Sequence, residues 1–251
     1  MANTLVRGLR VLQAFRSNDD GPVSNKEISA RTGLPKATVS RLLQTFASMG
    51  YVGVDPRTGG YSLAPAVLSF AHVFLSRLDI RALARPLMQK LSAPAGTTMV
   101  LAMRDRFMMT TIEAIVADPR FQLRAWIGAS APIALTASGH AFLAGLTPAH
   151  RETVLKELQP HYRNEWPAIN ERIARSLRSI GSRGFCVEIG EWKTQINDVA
   201  VPIRLDPAHA TVLTLACGGP PQMLPPRKLE KLGREMVGVG EEIERLLAVR
   251  L

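Results

Sequence analysis

The residues best suited to chemistry lie along one side of an amphipathic segment near the amino terminus, KATVSRLLQTFAS (36–48). Apolar residues recur there at i, i+3, i+4 and i+7, which predicts a helix with a buried face made of Val39, Leu42, Leu43 and Phe46. The opposite face then carries Ala37, Arg41 and Gln44, with Thr38 and Ser40 on its flanks. Small residues near the start of a helix, followed by arginine and glutamine, can enter the major groove of DNA and contact base edges and phosphates.

The neighbouring elements are those that would position such a helix. A first helix is predicted from about Asn3 to Arg16, and a second begins at Ser24 with Glu27 at the capping-box spacing. Gly33 closes the second helix and Pro35 opens the third. The segment YVGVDPRTGGYSL (51–63) is typical of a strand, a turn and a return strand. Three helices followed by this hairpin predict a winged helix-turn-helix.

Four further polar residues belong to the predicted DNA-binding set. Ser24 and Lys26 lie at the start of the second helix, and Lys36 lies at the start of the third. Arg57 falls at the tip of the predicted wing. We expect Lys36 and Arg57 to contact phosphates, which position a protein on DNA without reading its sequence.

Helix pairs of this kind also occur in many helical domains that bind no DNA, and an exposed arginine is usually only solvated. Two observations favour DNA. The hairpin follows the third helix, where a wing belongs, and the chain carries 31 Lys and Arg against 21 Asp and Glu, a net charge of +10. Residues 1–64 hold 8 basic and 4 acidic residues, so the excess is mildly enriched there. This balance indicates a polyanionic partner such as double-stranded DNA.

The remaining sequence predicts an α+β protein with a second, larger domain. A strongly apolar stretch over 65–80 is predicted to be a linker helix, which packs on a partner subunit of a dimer or on its own domain. From about residue 94 strands alternate with helices, including predicted strands at TTMVLAMRD, RFMMTTIEAI and FQLRAWIGA (121–129). We therefore expect a DNA-binding domain over 1–64, the linker over 65–80 and a further domain over 81–251.

Several other classes of protein are disfavoured. Cys186 and Cys217 lack the spacing of a disulfide framework or zinc ribbon, so a reduced, cytoplasmic protein is the simplest interpretation. No run of about 18 apolar residues or signal-peptide core appears, so no membrane partner is expected. Ser138 and His140 are two apart on a predicted helix and do not face each other, and no nucleophile elbow or metal-binding histidine pair occurs. We expect no catalysis and no cofactor.

These motifs together resemble the IclR family of bacterial transcriptional regulators over nearly the whole chain. At the front, RGLRVLQAF, SNKEISARTGLPKATVSRLLQTFASMGYV and GGYSLAP resemble the winged helix-turn-helix of the family. At the rear, RPLMQKLS, TASGHAFLA, SRGFCVE, VAVPI and CGGP resemble its effector-binding domain, which is related to GAF sensors. The resemblance implies a dimer or tetramer that binds promoter DNA under the control of a small organic effector, often an organic or aromatic acid linked to catabolism.

The resemblance also implies a position for the effector pocket. By matching to the family, the pocket is expected at Ile133, Thr136, Ala137, Ser138, Glu188, Asp198, Ala216 and Gly218. The helix start at 136–139 offers amides that stabilise a carboxylate. This sequence departs from the family pattern at Asp198, where Cys or Ser is usual, at Ala216 and Gly218, where serines are usual, and at Trp192, where small residues are common.

These departures bear on the effector. A carboxylate at Asp198 disfavours an anionic ligand nearby unless it is protonated or paired, which puts a simple dicarboxylate in doubt. Arg124 compensates if its side chain points inward. Loss of two hydroxyls adds room, and Trp192 provides either an aromatic wall or only a surface residue of a loop. A bulkier or more apolar ligand is therefore expected.

Two regulators of other kinds stay open from the sequence. The first senses a metal or acts without a ligand, because metal ligands can assemble from distant segments. The second is a sensor or scaffold that has lost DNA binding. The absence of acidic residues on the predicted groove face, which carries Lys36, Arg41 and Gln44, argues against the second.

Overall fold

The computed structural model describes residues 3–117, 126–206 and 211–249. The chain divides into two compact units, Met1–Arg77 and Leu78–Leu251. Each unit has its own sheet and its own buried core.

The first unit is a winged helix-turn-helix, as predicted. Its elements are α1 (Asn3–Gln13), α2 (Asn25–Thr32), α3 (Lys36–Ser48), β1 (Val52–Val54), β2 (Tyr61–Leu63) and α4 (Val67–Leu75). Strands β1 and β2 form an antiparallel hairpin, the wing. The core joins the three leading helices to the wing through Val11, Ile28, Val39, Leu43 and Val52.

Local sequence sets the turn between α2 and α3. The Ser24 hydroxyl caps α2 by accepting a hydrogen bond from the Glu27 amide, at 3.2 Å. Gly33 ends α2 at φ 69°, in the left-handed region that favours glycine. Pro35 then directly precedes the first residue of α3. The chain therefore reverses within three residues, which places α3 against α2.

Helix α4 occupies residues 67–75 of the segment expected to be a linker over 65–80. It ends at Leu75, belongs to the first unit, and none of its residues is buried. Phe70 stacks on Tyr51 with ring centroids 5.5 Å apart, which attaches α4 to the rest of the unit. The following helix begins at Ile80.

The second unit is built on an antiparallel six-stranded sheet in the order β5-β4-β3-β8-β7-β6. Its elements are α5 (Ile80–Ala95), β3 (Thr98–Asp105), β4 (Met108–Ile115), β5 (Ser130–Pro132), α6 (Ala137–Gly145), α7 (Pro148–Tyr162), α8 (Trp166–Arg183), β6 (Cys186–Ile189), β7 (Asn197–Asp206), β8 (Thr211–Gly219) and α9 (Pro226–Ala248). This arrangement confirms the predicted class of an α+β chain with a GAF-like domain.

Opposite faces of the sheet carry different helices, because successive side chains of a strand alternate in direction. On β7, Val201 and Ile203 approach Gly240 of α9. Asp198 points to the opposite face of the sheet and accepts a hydrogen bond from the amide of Ala137, the first residue of α6. Helix α6 is in turn covered by α8. The start of α6 therefore lies over the carboxyl-terminal part of β8 and the beginning of β7.

Close packing fixes the start of α6. A Cβ atom on Gly139 would lie 2.0 Å from the Ile133 carbonyl oxygen, so only glycine allows the helix to approach the short 3₁₀ turn at Ile133–Leu135. The Thr136 hydroxyl caps the helix by accepting the Gly139 amide hydrogen bond.

The third predicted strand of this unit, FQLRAWIGA, falls largely outside the described residues, and Arg124 lies there too. Its described remainder, 126–129, is not a strand: the Ala129 amide bonds to the Trp126 carbonyl in a turn. The described strand β5 follows this turn, so the strand prediction over 126–129 was wrong.

Candidate functional sites

The predicted groove face of α3 is a continuous surface in the structure. Lys36, Ala37, Arg41 and Gln44 are all exposed, whereas Val39 and Leu43 are fully buried on the opposite side. The predicted flanking residues, Thr38 and Ser40, are half-buried. The structure therefore brings the predicted α3 residues together on one side of one helix.

Two of the predicted serines already have partners within the unit. Ser24 accepts the α2 cap bond, and the Ser40 hydroxyl is 2.8 Å from the Asn25 side-chain amide. Asn25 also donates to the Lys36 carbonyl, at 3.3 Å, and so bridges α2 to the first turn of α3. Sequence reasoning missed Asn25, because no spacing rule links it to Ser40. We infer that Ser40 helps to orient α3.

The wing holds Arg57 at its tip, with the side chain 89% exposed. Asp55 organises the turn beneath it by accepting hydrogen bonds from the Arg57 amide at 3.0 Å and the Thr58 hydroxyl at 2.8 Å. The Arg57 guanidinium is 3.9 Å from Asp55, the outer limit of an ion pair. Lys26, at the start of α2, is also exposed. Both cations can therefore reach a polyanion.

Not every basic residue of this unit is available in this way. Arg31 bonds to Asp19, Glu27 and the Ala14 carbonyl, which ties α2 to the end of α1. Its guanidinium holds the pKa of Asp19 below the usual value, chiefly through their hydrogen bonds. Arg31 is a structural residue, although its charge contributes to the basic count of the unit.

A cavity of about 720 Å³ opens in the second unit, beside the start of α6. Six of the nine predicted effector-binding residues line it: Thr136, Ser138, Trp192, Asp198, Ala216 and Gly218. The walls also include residues that the sequence did not indicate: Val100, Ala102, Met109, Thr111, Lys193, Gln195 and Gln222. They come from β3, β4 and the segments 192–196 and 220–222, which no local pattern connects.

Three predicted pocket residues lie outside this lining. Ile133 is fully buried in the core between the sheet and helices α6 to α8. Ala137 is also buried and contributes its backbone amide to Asp198. Glu188 faces α8 and α6, where its carboxylate accepts a hydrogen bond from the Ser176 hydroxyl at 2.7 Å and lies 3.1 Å from His140 Nδ1. These three residues are buried and do not line the cavity.

Asp198 is the acidic residue of the described cavity wall. Its Oδ2 atom accepts the Ala137 amide hydrogen bond at 3.0 Å, so the amide expected to be available to a ligand is already occupied. Burial raises the pKa of Asp198 to about 7, against the lowering effect of that hydrogen bond and with a contribution from the nearby Glu188 charge. The group therefore changes charge near neutral pH.

The buried cluster of His140, Ser176 and Glu188 contains residue types found in hydrolases. Its geometry opposes that function, because His140 is 0% exposed and its Nε2 atom faces the Ala134 carbonyl at 3.1 Å. Burial would raise the pKa of Glu188, but the His140 and Ser176 hydrogen bonds, with the charges of His140 and Arg172, lower it overall. Ser138 bonds to Thr214 at 2.7 Å rather than to His140. The cluster is a structural support.

Within residues 3–117, 126–206 and 211–249, no three His, Cys, Asp or Glu side chains come together as metal ligands would. None of the helices in those ranges is both long enough and apolar enough to cross a bilayer.

Models of known protein families match both units. A model described as the IclR helix-turn-helix domain matches residues 4–56, and one described as the bacterial transcriptional regulator IclR C-terminal matches residues 72–244. The second match alone covers more than half of the chain.

Individual proteins agree with these matches. The HTH-type transcriptional regulator TsaQ1/TsaQ2 of Comamonas testosteroni is 30% identical over 203 residues, which cover 80% of this chain and 72% of that protein. A crystal structure of an IclR family transcriptional regulator from Brucella abortus has 35% identity and a TM-score of 0.81, covering 98% of this chain and 92% of that one. An IclR homolog from Microbacterium hydrocarbonoxydans, solved as a complex with 4-hydroxybenzoate, shares the fold at 22% identity and a TM-score of 0.73, covering 97% of this chain and 100% of that one.

Proposed function

The chain belongs to the IclR family of bacterial transcriptional regulators, and from this premise we propose that it reads promoter DNA with α3 and the wing and answers to a small organic effector bound in the 720 Å³ cavity. The observation that carries the DNA-binding half of this proposal is the exposed face of α3. Arginine and glutamine one turn apart can reach base edges there, while Lys36 and Arg57 supply cations for phosphates. A protein with these parts acts in the cytoplasm.

The test of this half is Arg41→Ala, assayed by fluorescence anisotropy on a duplex selected from random DNA by the purified protein. If Arg41 contacts a base, affinity for the selected site falls by about 1–3 kcal/mol and discrimination against random duplex shrinks. The matched control is Arg234→Ala, at an exposed position of α9. Equal loss on selected and random DNA would reduce Arg41 to a phosphate contact.

The effector half of the proposal is supported by the cavity and its lining. Apolar side chains such as Val100, Met109 and Trp192 share the wall with polar groups that can orient a ligand, as in ligand sites of other proteins. A relative of the same fold holds an aromatic acid, and a 28% identical relative is the Pca regulon regulatory protein of Pseudomonas putida. We therefore propose an aromatic or other organic acid of a catabolic pathway as the effector.

Gly218→Leu tests the cavity, because Gly218 lines it and the new side chain would fill it. The variant is expected to bind the selected DNA normally but to lose any response to a panel of organic acids. Gly238→Leu is the control, since Gly238 has open space around it on α9. An unchanged response in Gly218→Leu would place the effector elsewhere.

We further propose that the chain acts as a dimer or a dimer of dimers, with α4 at a contact between subunits. Leu68, Phe70, Val73 and Phe74 remain 49–66% exposed within this unit, an unusual density of apolar side chains on one short helix. Pairing also suits DNA recognition, because one helix reads few bases and two half-sites raise affinity.

Sedimentation of a Leu68→Asp variant tests this contact. The wild-type chain is expected to sediment above its monomer mass of 27.4 kDa, and the variant to shift toward that mass. Ser69→Asp adds the same charge at a neighbouring exposed position and should leave the assembly unchanged. A wild-type monomer at micromolar concentration would contradict the proposal.

A further inference from the structure

The amino end of α6 already has a carboxylate bound to it. Asp198 Oδ2 accepts the Ala137 amide hydrogen bond, and the Thr136 hydroxyl accepts that of Gly139. A helix amino terminus stabilises a nearby anionic group, and here that group is a side chain of β7. Asp198 also lies on the cavity wall, so a ligand that reaches this end meets the carboxylate.

The surroundings of Asp198 disfavour a second carboxylate. Glu188 is its cross-strand partner on β6, and its charge raises the cost of adding another anion. On the other side, the cross-strand partner is Gly218, which brings no side chain. A hydroxyl or amino group fits this position, because it donates a hydrogen bond to the carboxylate of Asp198.

The rim of the cavity has the opposite character. Lys193 lines the cavity but is exposed, with its ammonium 4.4 Å from the centroid of the Trp192 ring. Gln195 and Gln222 line the cavity too. The other walls include Val100 and Ala102 of β3 and Met109 of β4, which suit an aromatic ring. The described cavity wall therefore combines a half-buried carboxylate at Asp198, apolar side chains on β3 and β4 and an exposed cation at Lys193.

We propose that Asp198 takes the place of a ligand carboxylate at the start of α6, so that the effector presents a hydroxyl or amino group to Asp198 and its acid group to Lys193. Hydroxy- or amino-substituted aromatic acids are then the preferred ligand class, held with the donor group inward and the acid group outward. This inference rests on the proposed function of the cavity as the effector site.

Calorimetry of the full chain with three para-related probes tests the assignment: 4-hydroxybenzoate, benzoate and terephthalate. The titrations are run at pH 8, because burial raises the pKa of Asp198 to about 7 and the carboxylate is the form that accepts the bond. 4-Hydroxybenzoate is expected to bind at least about tenfold more tightly than either other probe, since only it can donate to a charged acceptor.

Two variants separate the inner end from the rim. Asp198→Asn keeps the shape of the side chain and can still accept the Ala137 bond, but it removes the charge. It should reduce the preference for 4-hydroxybenzoate over terephthalate by about tenfold or more. Lys193→Ala should weaken 4-hydroxybenzoate and benzoate by a similar factor and leave the preference between them unchanged.

The outcomes distinguish this inference from the proposed function. Wild-type binding of benzoate or terephthalate as tightly as 4-hydroxybenzoate, abolished by Gly218→Leu, would overturn the role of Asp198 and leave the cavity as the effector site. Binding that Gly218→Leu does not affect would remove the cavity assignment and this inference with it. No binding of any probe at millimolar concentration would overturn the ligand class.

Discussion

The groove face of α3 and the wall of the cavity use their polar side chains in opposite ways. On α3, Arg41 and Gln44 extend from an exposed surface and take no part in the core of the unit. In the cavity, the polar groups available to a ligand also make hydrogen bonds that hold the fold together. Asp198 accepts one from the Ala137 amide, and Ser138 is hydrogen-bonded to Thr214.

This difference has consequences for mutation. A change on the groove face should affect DNA binding alone, because no buried group loses a partner. A change at the inner end of the cavity should affect binding and stability together, because removing one partner leaves the other buried without a bond. The largest effects are therefore expected at the start of α6 and at Asp198, and the smallest on the DNA-binding unit.

Gly139→Ala should give the largest effect, because the new Cβ atom would meet the Ile133 backbone at 2.0–2.5 Å and neither segment can yield. We expect a loss on the order of 5 kcal/mol in the unfolding free energy of the second unit, in the exceptional range for one substitution. Denaturant titration by circular dichroism measures it. Gly181→Ala, in α8 with nothing nearby, should instead be neutral or stabilising. A well-folded Gly139→Ala protein would show that the start of α6 is free to move.

Asp198→Asn should change how stability depends on pH. The folded pKa of Asp198 is raised from 3.8 to about 7, so the folded state binds the proton more tightly than the unfolded state. Its contribution is therefore fully present below pH 3.8 and is lost as the pH rises to about 7, by up to about 4 kcal/mol.

The measurement is the unfolding free energy of wild type and Asp198→Asn at pH 5 and pH 8. The wild-type value relative to the variant should fall between the two pH values. Glu188 is present in both proteins, but its charge contributes to the raised pKa of Asp198, so the difference between the proteins reports the two coupled carboxylates together. A constant difference between the two proteins would mean that Asp198 keeps an ordinary pKa.

The contrast between the two regions also explains what the sequence could predict. Apolar residues repeat with the helical period of 3.6 residues within 36–48. The exposed and buried residues of the groove face could therefore be assigned without any tertiary information. The capping pattern at Ser24 and Glu27 likewise identified α2. These are local rules, which the chain satisfies within a few residues.

The cavity could be predicted only in part, because its wall joins segments that are distant in the chain. Matching to the family placed Thr136, Asp198 and Gly218 near one another, but the same matching placed Glu188 there, whose side chain faces α8 instead. Lys193 and Gln222 carry no local signal and line the cavity only because two loops meet. Likewise, the occupation of the Ala137 amide by Asp198 depends on strand register, which no spacing rule reveals.

Asn25→Ala should show that part of the groove surface does depend on the fold. Asn25 bridges α2 to α3 through Ser40 and the Lys36 carbonyl, so its removal should lower the unfolding free energy of the first unit by about 1 kcal/mol. Thermal unfolding measures the loss. Ser48→Ala, which removes only a hydroxyl bonded within the exposed end of α3, should stay within about 0.5 kcal/mol of wild type. Equal stability of both variants would mean that packing alone holds the two helices.

Lys36→Ala and Arg57→Ala should give the smallest effects. Each should weaken DNA binding without changing the stability of the protein. Both side chains are exposed, one at the start of α3 and the other at the tip of the wing. A cation that neutralises one phosphate releases about one condensed counterion, so each variant should lower the slope of log affinity against log salt by about one unit. The slope is measured by fluorescence anisotropy at salt concentrations between about 50 and 200 mM. Preference between selected and random duplexes should not change, because phosphate contacts carry no sequence information.

Arg31→Ala provides the contrasting case. The charge of Arg31 is paired with Asp19, so we expect a loss of stability rather than a change of slope. If the slopes of Lys36→Ala and Arg57→Ala equal that of wild type, the DNA backbone does not pass over these two residues.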